Sequence, residues 1–171
     1  MSERAVQIHV NGQAITVPAA DADMSLAEFL HERMDLTGTK VCCGIGVCRA
    51  CTVGMRSSQD ALMEKTLACV TPVSAVANQH IYTVESLAQG ARLSPLQQTF
   101  LESFAFQCGY CTPGFLMAAT AMLEHLKAYR ADQLEAAIDT WVGGNLCRCT
   151  GYVKYRDAIR KVAQQHMKSG A

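Results

Sequence analysis

A chain of 171 residues with fifteen Lys and Arg against fifteen Asp and Glu carries no net charge. It shows no basic stripe, which excludes nucleic acid and an anionic membrane surface as indicated partners. No apolar run approaches the roughly 20 residues of a membrane span, so no membrane insertion is expected.

The first residues, Met1-Ser-Glu-Arg-Ala-Val, lack an apolar signal region and a twin-arginine pair, which predicts a cytoplasmic chain. Export to the periplasm would require attachment to a partner that carries a signal. The nine cysteines are an odd number. In that setting paired-cysteine motifs read as metal or redox chemistry rather than a disulfide framework.

Residues 5–10 and 14–17 read as two strands around Asn11-Gly12, a hairpin signal. Ser25-Leu-Ala-Glu28 is a capping box that opens a helix over about residues 26–34. The stretch from Gly38 to Cys51 is dense in Gly and Cys and reads as a loop. Short strands are expected at 51–55, 66–70 and 81–84. Beyond Glu85 the pattern turns helical. Ser94-Pro95-Leu-Gln97 starts a helix to about residue 106, and Thr112-Pro113 repeats the device before a long apolar helix over 115–129. Asp132 opens a third helix near 134–141, and 155–167 forms a fourth. The fold class expected is α+β: a plant-ferredoxin-like (β-grasp) domain over 1–84, then an all-α four-helix bundle over 85–171, with a linker near 85–93.

Eight cysteines form two quartets. Cys43, Cys48 and Cys51 have the C-x4-C-x2-C spacing of plant-type ferredoxins, with Cys69 as a candidate fourth ligand. Cys108 and Cys111 are C-x2-C, and Cys147 and Cys149 are C-x-C. Each quartet offers the four thiolates that one [2Fe–2S] cluster needs. Such a cluster is formally dianionic when oxidised, so its surroundings need hydrogen-bond donors and small residues. Gly44, Gly46 and Ala50 allow inward-turned N–H groups in the first loop. Cys111 precedes a helix start, whose free N–H groups and dipole favour negative charge. Neither half has a large core, so cluster ligation is expected to contribute to folding. Structural zinc is the competing reading of these pairs.

Cys42 would give C-x5-C as a ligand, so it reads as a small buried residue. Arg49 reads as solvated, and all five histidines as structural or surface. Gly143-Gly144 lacks a following phosphate-loop helix and reads as access to Cys147. No catalytic triad or Gly-rich phosphate loop is present, and nothing suggests a site for flavin or organic substrate on this chain.

Leu36-Thr-Gly-Thr-Lys40, Cys43-x4-Cys48-Arg-Ala-Cys51-Thr-Val, Gln107-Cys-Gly-Tyr-Cys-Thr-Pro-Gly114 and Gly144-Asn-Leu-Cys-Arg-Cys-Thr-Gly-Tyr152 together resemble the small iron–sulfur subunit of molybdenum hydroxylases. These are the xanthine dehydrogenase, aldehyde oxidase, carbon monoxide dehydrogenase and isoquinoline oxidoreductase type, and the resemblance covers nearly the whole chain. It implies two [2Fe–2S] clusters, one on Cys43, Cys48, Cys51 and Cys69, the other on Cys108, Cys111, Cys147 and Cys149. It also implies a large partner subunit holding molybdopterin, which Gln107 and the backbone at Cys149 approach, and a further subunit carrying FAD or haem c as acceptor. Many relatives have Gly at Cys42, Glu-Gly at Ile45-Gly46 and Gly at Arg49. Thr71-Pro-Val-Ser-Ala resembles the cytochrome-linked branch and Cys111-Thr-Pro-Gly the flavin-linked one, so both acceptors stay open. The substrate implied is an aldehyde or N-heterocycle, chosen by another chain. A stand-alone two-cluster ferredoxin shuttle and a zinc-stapled module are the rival readings.

Overall fold

The computed structural model describes residues 5–150 and 152–169. The outer ends of the two expected domains, the start of the N-terminal export reading and Gly151 of the last motif lie outside the described residues.

Strands β1 (Val6–Val10) and β2 (Gln13–Val17) form an antiparallel hairpin pairing Val10 with Gln13. Asn11 and Gly12 turn it at φ +50° and +84°, the left-handed pair that matches the twist of the strands. Helix α1 (Leu26–Glu32) follows. The Ser25 hydroxyl accepts from Glu28 N–H at 3.2 Å and the Glu28 carboxylate from Ser25 N–H at 3.1 Å, which satisfies two otherwise free donors. Strands β3 (Thr52–Arg56), β4 (Glu64–Leu67) and β5 (His80–Tyr82) complete a mixed sheet of order β2-β1-β5-β3-β4. Its β1–β5 pairing is parallel, whereas β3 pairs antiparallel with β4 and β5. On one face of the sheet Leu26, Phe29 and Leu30 of α1 meet Ile8, Val53 and Ile81 in a dry core.

Four more helices follow among the described residues: α2 (Pro95–Glu102), α3 (Thr112–His125), α4 (Leu134–Val142) and α5 (Val153–Ser169). Their core centres on Phe100, Phe115, Met117, Ile138, Tyr155 and Ile159, and the Phe115 and Tyr155 rings stack with centroids 4.3 Å apart. No helix of the described residues is long and apolar enough to cross a membrane.

Several boundaries moved from expectation, each for a local reason. Strand β4 lies upstream of 66–70 because its register pairs Leu67 with Thr52, which leaves Cys69 in the turn beyond. Helix α2 stops at Glu102 instead of 106. Phe104 takes φ +45°, Ala105 N–H reaches Phe100 C=O at 2.9 Å and Phe104 N–H reaches Leu101 C=O at 3.0 Å. That is a Schellman ending without the usual glycine. Helix α3 begins at Thr112 and ends at His125, its last residues tightening into a 3-10 turn. Thr112 does not cap it; its hydroxyl lies 2.8 Å from the Tyr155 hydroxyl. Asp132 sits in a 3-10 turn before α4 and pairs with Arg130 at 2.8 Å.

Helix α3 lies on the second face of the sheet, against β3. Gly54 permits this, since a Cβ there would meet Met63 Sδ at 2.3 Å and Met117 Cε at 3.1 Å. At the first turn of α3 the approach is backbone to backbone: a Cβ at Gly114 would stand 2.6 Å from Arg49 O and 2.8 Å from Ala50 O. Rigid carbonyls cannot yield as a flexible side chain does. Gly114→Ala should therefore reduce the unfolding free energy by about 1–3 kcal/mol, read as a lower denaturant midpoint. An unchanged midpoint would show that the helix start is free to move away.

Candidate metal centres

The first thiol loop runs from Val41 to Cys51 with almost no regular structure. Gly44 (φ +67°), Gly46 (φ +75°) and Arg49 (φ +57°) turn its backbone through left-handed conformations, which aim successive N–H groups inward. The N–H of Cys48, 3.4 Å from Cys43 Sγ, and those of Ile45 and Val47 hold the Cys43 thiol down to about 6. Cys48 and Cys51 are buried. Burial raises Cys48 and pushes Cys51 up to about 12, against donors from Ala50 N–H and Cys69 N–H respectively. The Cys43 and Cys48 thiols perturb each other's ionisation, as do those of Cys51 and Cys69.

The second quartet also falls into two pairs. Cys108 and Cys149 are both exposed, with their Sγ atoms 3.5 Å apart. Cys111, half-buried, and the buried Cys147 form the other pair, each affecting the other's ionisation. Burial pushes Cys111 up to about 11, and the Tyr155 hydroxyl lies 3.4 Å from its Sγ. Burial opposes ionisation of Cys147 too, but the Thr150 hydroxyl at 3.1 Å and the N–H groups of Thr150 and Cys149 outweigh it, so its net shift is downward. The loop carrying Cys147 hangs between α4 and α5, clamped by Arg156 on Asp139 at 2.5 Å.

Each quartet is thus two adjacent pairs of free thiols, with backbone N–H or hydroxyl donors directed at sulfur. A [2Fe–2S] cluster takes four cysteine thiolates, two on each iron, and this donor chemistry fits it. Among the described residues no group of three or more His, Cys, Asp or Glu side chains is arranged to hold one metal ion, as a single tetrahedral zinc would require.

The two loops touch. Leu146 N–H donates to Cys48 C=O at 3.0 Å, and Asn145 Nδ2, on a residue only 2 % exposed, donates to Arg49 C=O at 3.0 Å. Tyr110 OH donates to Val41 C=O at 2.6 Å. Gln107 is exposed on the same stretch as Cys108.

Two expectations fail here. Cys42 is exposed, not buried, because the loop turns Cys43 inward and its neighbour out. Arg49 is not simply solvated: its guanidinium lies over Gly144, where a Cβ would come within 2.1 Å of Nη1. The glycine three residues before Cys147 thus makes room for Arg49. Four histidines sit apart from the thiols. His31 meets Thr39 C=O and His125 meets Met63 C=O, and His9 stacks on His80. Tyr155 and Lys65 escaped sequence reading, since a tyrosine on the buried face of an amphipathic helix and a strand lysine carry no signal of what they reach. Thr150, three residues after Cys147, was within reach of a search for nearby hydroxyls.

A model of a 2Fe-2S iron-sulfur cluster binding domain matches residues 8–74, and a model of a [2Fe-2S] binding domain matches residues 83–160. The nicotine 6-hydroxylase small subunit of Paenarthrobacter nicotinovorans is 41 % identical over 154 residues, covering 90 % of this chain and 86 % of that one. A chain of quinoline 2-oxidoreductase from Pseudomonas putida 86 superposes with a TM-score of 0.79 at 34 % identity, over 99 % of this chain and all of that one. Aldehyde oxidase 2 of Rattus norvegicus is 39 % identical over 153 residues, 86 % of this chain, but the chain spans only 11 % of that relative's length. Two matched cluster-binding models in this order, together with a small-subunit relative matched over most of its length, establish that the chain belongs to the family of [2Fe–2S] iron–sulfur subunits of the molybdenum hydroxylases.

Proposed function

We propose that this chain is the electron-transfer subunit of a heteromeric molybdenum hydroxylase, conducting electrons from a molybdopterin site on a large subunit to an acceptor subunit that carries FAD or haem c. Cys43, Cys48, Cys51 and Cys69 hold one [2Fe–2S] cluster, and Cys108, Cys111, Cys147 and Cys149 the other, within a β-grasp domain (1–84) and a four-helix-bundle domain (85–171). When bound, these groups supply one-electron transfer without moving an atom or a proton.

The observation that carries this reading is the contact between the quartets. The inner pair of the second, Cys111 and Cys147, is joined to the first through Leu146 N–H and Cys48 C=O at 3.0 Å. The outer pair, Cys108 and Cys149, is exposed. Electrons then have an entry at the surface and an exit through the first loop, where Ile45, Val47 and Val70 are exposed. An uncharged exit rim suits a stably bound partner better than an electrostatically steered shuttle. At the entry, the exposed Gln107 offers a donor and an acceptor to a pterin edge, and Gly109, at φ +80°, permits close approach beside the backbone of Cys149.

Two relatives that this chain covers over most of their length are named for nicotine and quinoline. Both are N-heterocycles, which favours an N-heterocycle over an aldehyde as the substrate of the assembled enzyme. The enzyme works in the cytoplasm, or in the periplasm if a signal-bearing partner carries it there folded.

Purified with its partners, the chain should contain about four irons and four acid-labile sulfides and give two distinguishable paramagnetic signals on reduction. Cys43→Ser should remove one signal, and Cys42→Ser should leave both. Iron loss in the Cys42 variant would move the ligand to the neighbouring residue, and stoichiometric zinc would overturn the reading.

Gln107→Ala should slow substrate-driven reduction of the cluster on Cys108 in a stopped-flow experiment, with iron content unchanged. A wild-type rate would place the pterin elsewhere. Turnover of an N-heterocycle by this chain alone would refute the subunit role.

A further inference from the structure

Two cations flank the segment from the end of α4 into the second cysteine loop, and neither forms an ion pair within 4.0 Å among the described residues. Arg49 lies between Cys48 and Cys51 in sequence and holds a left-handed backbone, φ +57°, a conformation uncommon for a long side chain. That backbone places the guanidinium over Gly144, where a Cβ would be 2.1 Å from Nη1 and 2.3 Å from Cζ. Its charge therefore sits against the loop of the second quartet while its main chain belongs to the first. Lys65 arrives from β4. Its Nζ donates to Trp141 C=O at 2.5 Å and Thr140 C=O at 3.2 Å, at the C-terminal end of α4, and lies 5.1 Å from the Trp141 ring centroid. Burial, and after it the charge of Arg49, lowers the pKa of Lys65, so the two cations act on each other. The carboxylate that opposes this, Glu64, is exposed.

Two like charges on one segment, one of them on left-handed backbone and neither ion-paired, favour a negative charge nearby. On the ligand assignment made above, we propose that Arg49 and Lys65 form an electropositive bridge which stabilises the reduced state of both iron–sulfur groups and so raises their reduction potentials. Reduction adds one electron to a group already negative, breaks no bond and takes up no proton, so its charge grows by one. A fixed cation favours that more negative state. Lys65 is partly matched by the carbonyl end of α4. Arg49 has no such match, so its contribution is the larger.

The test uses the enzyme purified with its partner subunits, carrying Arg49→Gln, Arg49→Lys or Lys65→Met. Midpoint potentials of the two paramagnetic signals are read by titration, and iron is assayed in parallel. Arg49→Gln should lower both midpoints, by roughly tenfold in the one-electron equilibrium, or 59 mV, with iron content unchanged. Arg49→Lys should recover most of that shift, and Lys65→Met, which keeps an unbranched apolar stem, should lower the midpoints less than Arg49→Gln. Wild-type midpoints in Arg49→Gln would overturn the proposal. So would equal shifts in the Gln and Lys variants, which would assign the effect to the fit over Gly144 rather than to charge. If Arg49→Gln loses iron, the Lys65→Met midpoints decide, and no shift there overturns the bridge. A wild-type enzyme lacking two signals would instead remove the ligand assignment itself, an outcome separable from all of these.

Discussion

The close approach of α3 to the first thiol loop is the constraint on which the rest of the molecule depends. Gly114 lets the helix start lie against the carbonyls of Arg49 and Ala50 at distances no side chain allows. With that contact made, Cys111 at the helix start comes to the seam with the first quartet. The loop after α4 then closes over it, donating Leu146 N–H and the Asn145 amide to Cys48 and Arg49 carbonyls. The Cys48 carbonyl, on a buried residue, would otherwise lack a partner at a cost of about 1–3 kcal/mol, whereas the Arg49 carbonyl also accepts from Thr52. The same hydrogen bonds that satisfy the backbone therefore set the distance between the two thiol quartets.

Burial and hydrogen bonding divide the work within each quartet. Burial raises Cys48, Cys51 and Cys111, while N–H groups of a loop with left-handed turns lower Cys43 and the Thr150 hydroxyl with nearby N–H groups outweighs burial at Cys147. Held as the proposed cluster ligands, all of them would be thiolates, and the inward N–H groups would face a group of net negative charge. The second quartet is polarised, with Cys108 and Cys149 toward solvent and Cys111 and Cys147 toward the protein. This gives the chain a direction: a surface where another molecule can approach, and an interior seam leading to the first loop.

Lys65 and Arg156 complete the frame from opposite sides. Lys65 ties the sheet to the last carbonyls of α4, and Arg156 of α5 holds Asp139 of the same helix. The ion pairs of Arg156 and Arg160 with α4 are solvent-facing and worth only about 0–1 kcal/mol each. Their role is to position the end of α4, from which the Cys147 loop departs, more than to stabilise the fold.

Local chemistry was legible in the residues themselves. The Asn11-Gly12 turn, the Ser25 and Ser94 capping boxes and the spacing of the cysteines each involve neighbours a few residues apart, and each stands close to where the sequence placed it. Boundaries failed where a distant partner decided. The pairing of Leu67 with Thr52 set β4, and Phe104 took a glycine's conformation to end α2. Cys42 and Arg49 were misread for the same reason. Which of two adjacent cysteines turns inward depends on the curl of a whole loop, and where an arginine lies depends on a glycine 95 residues further along. The sequence by itself determined which residues could hold metal and roughly where the helices begin, because thiol spacing and capping act over a few bonds. Only the tertiary structure decided that the quartets touch, which thiols face outward and what charge stands between them, because those depend on backbone contacts between segments that sequence spacing does not relate.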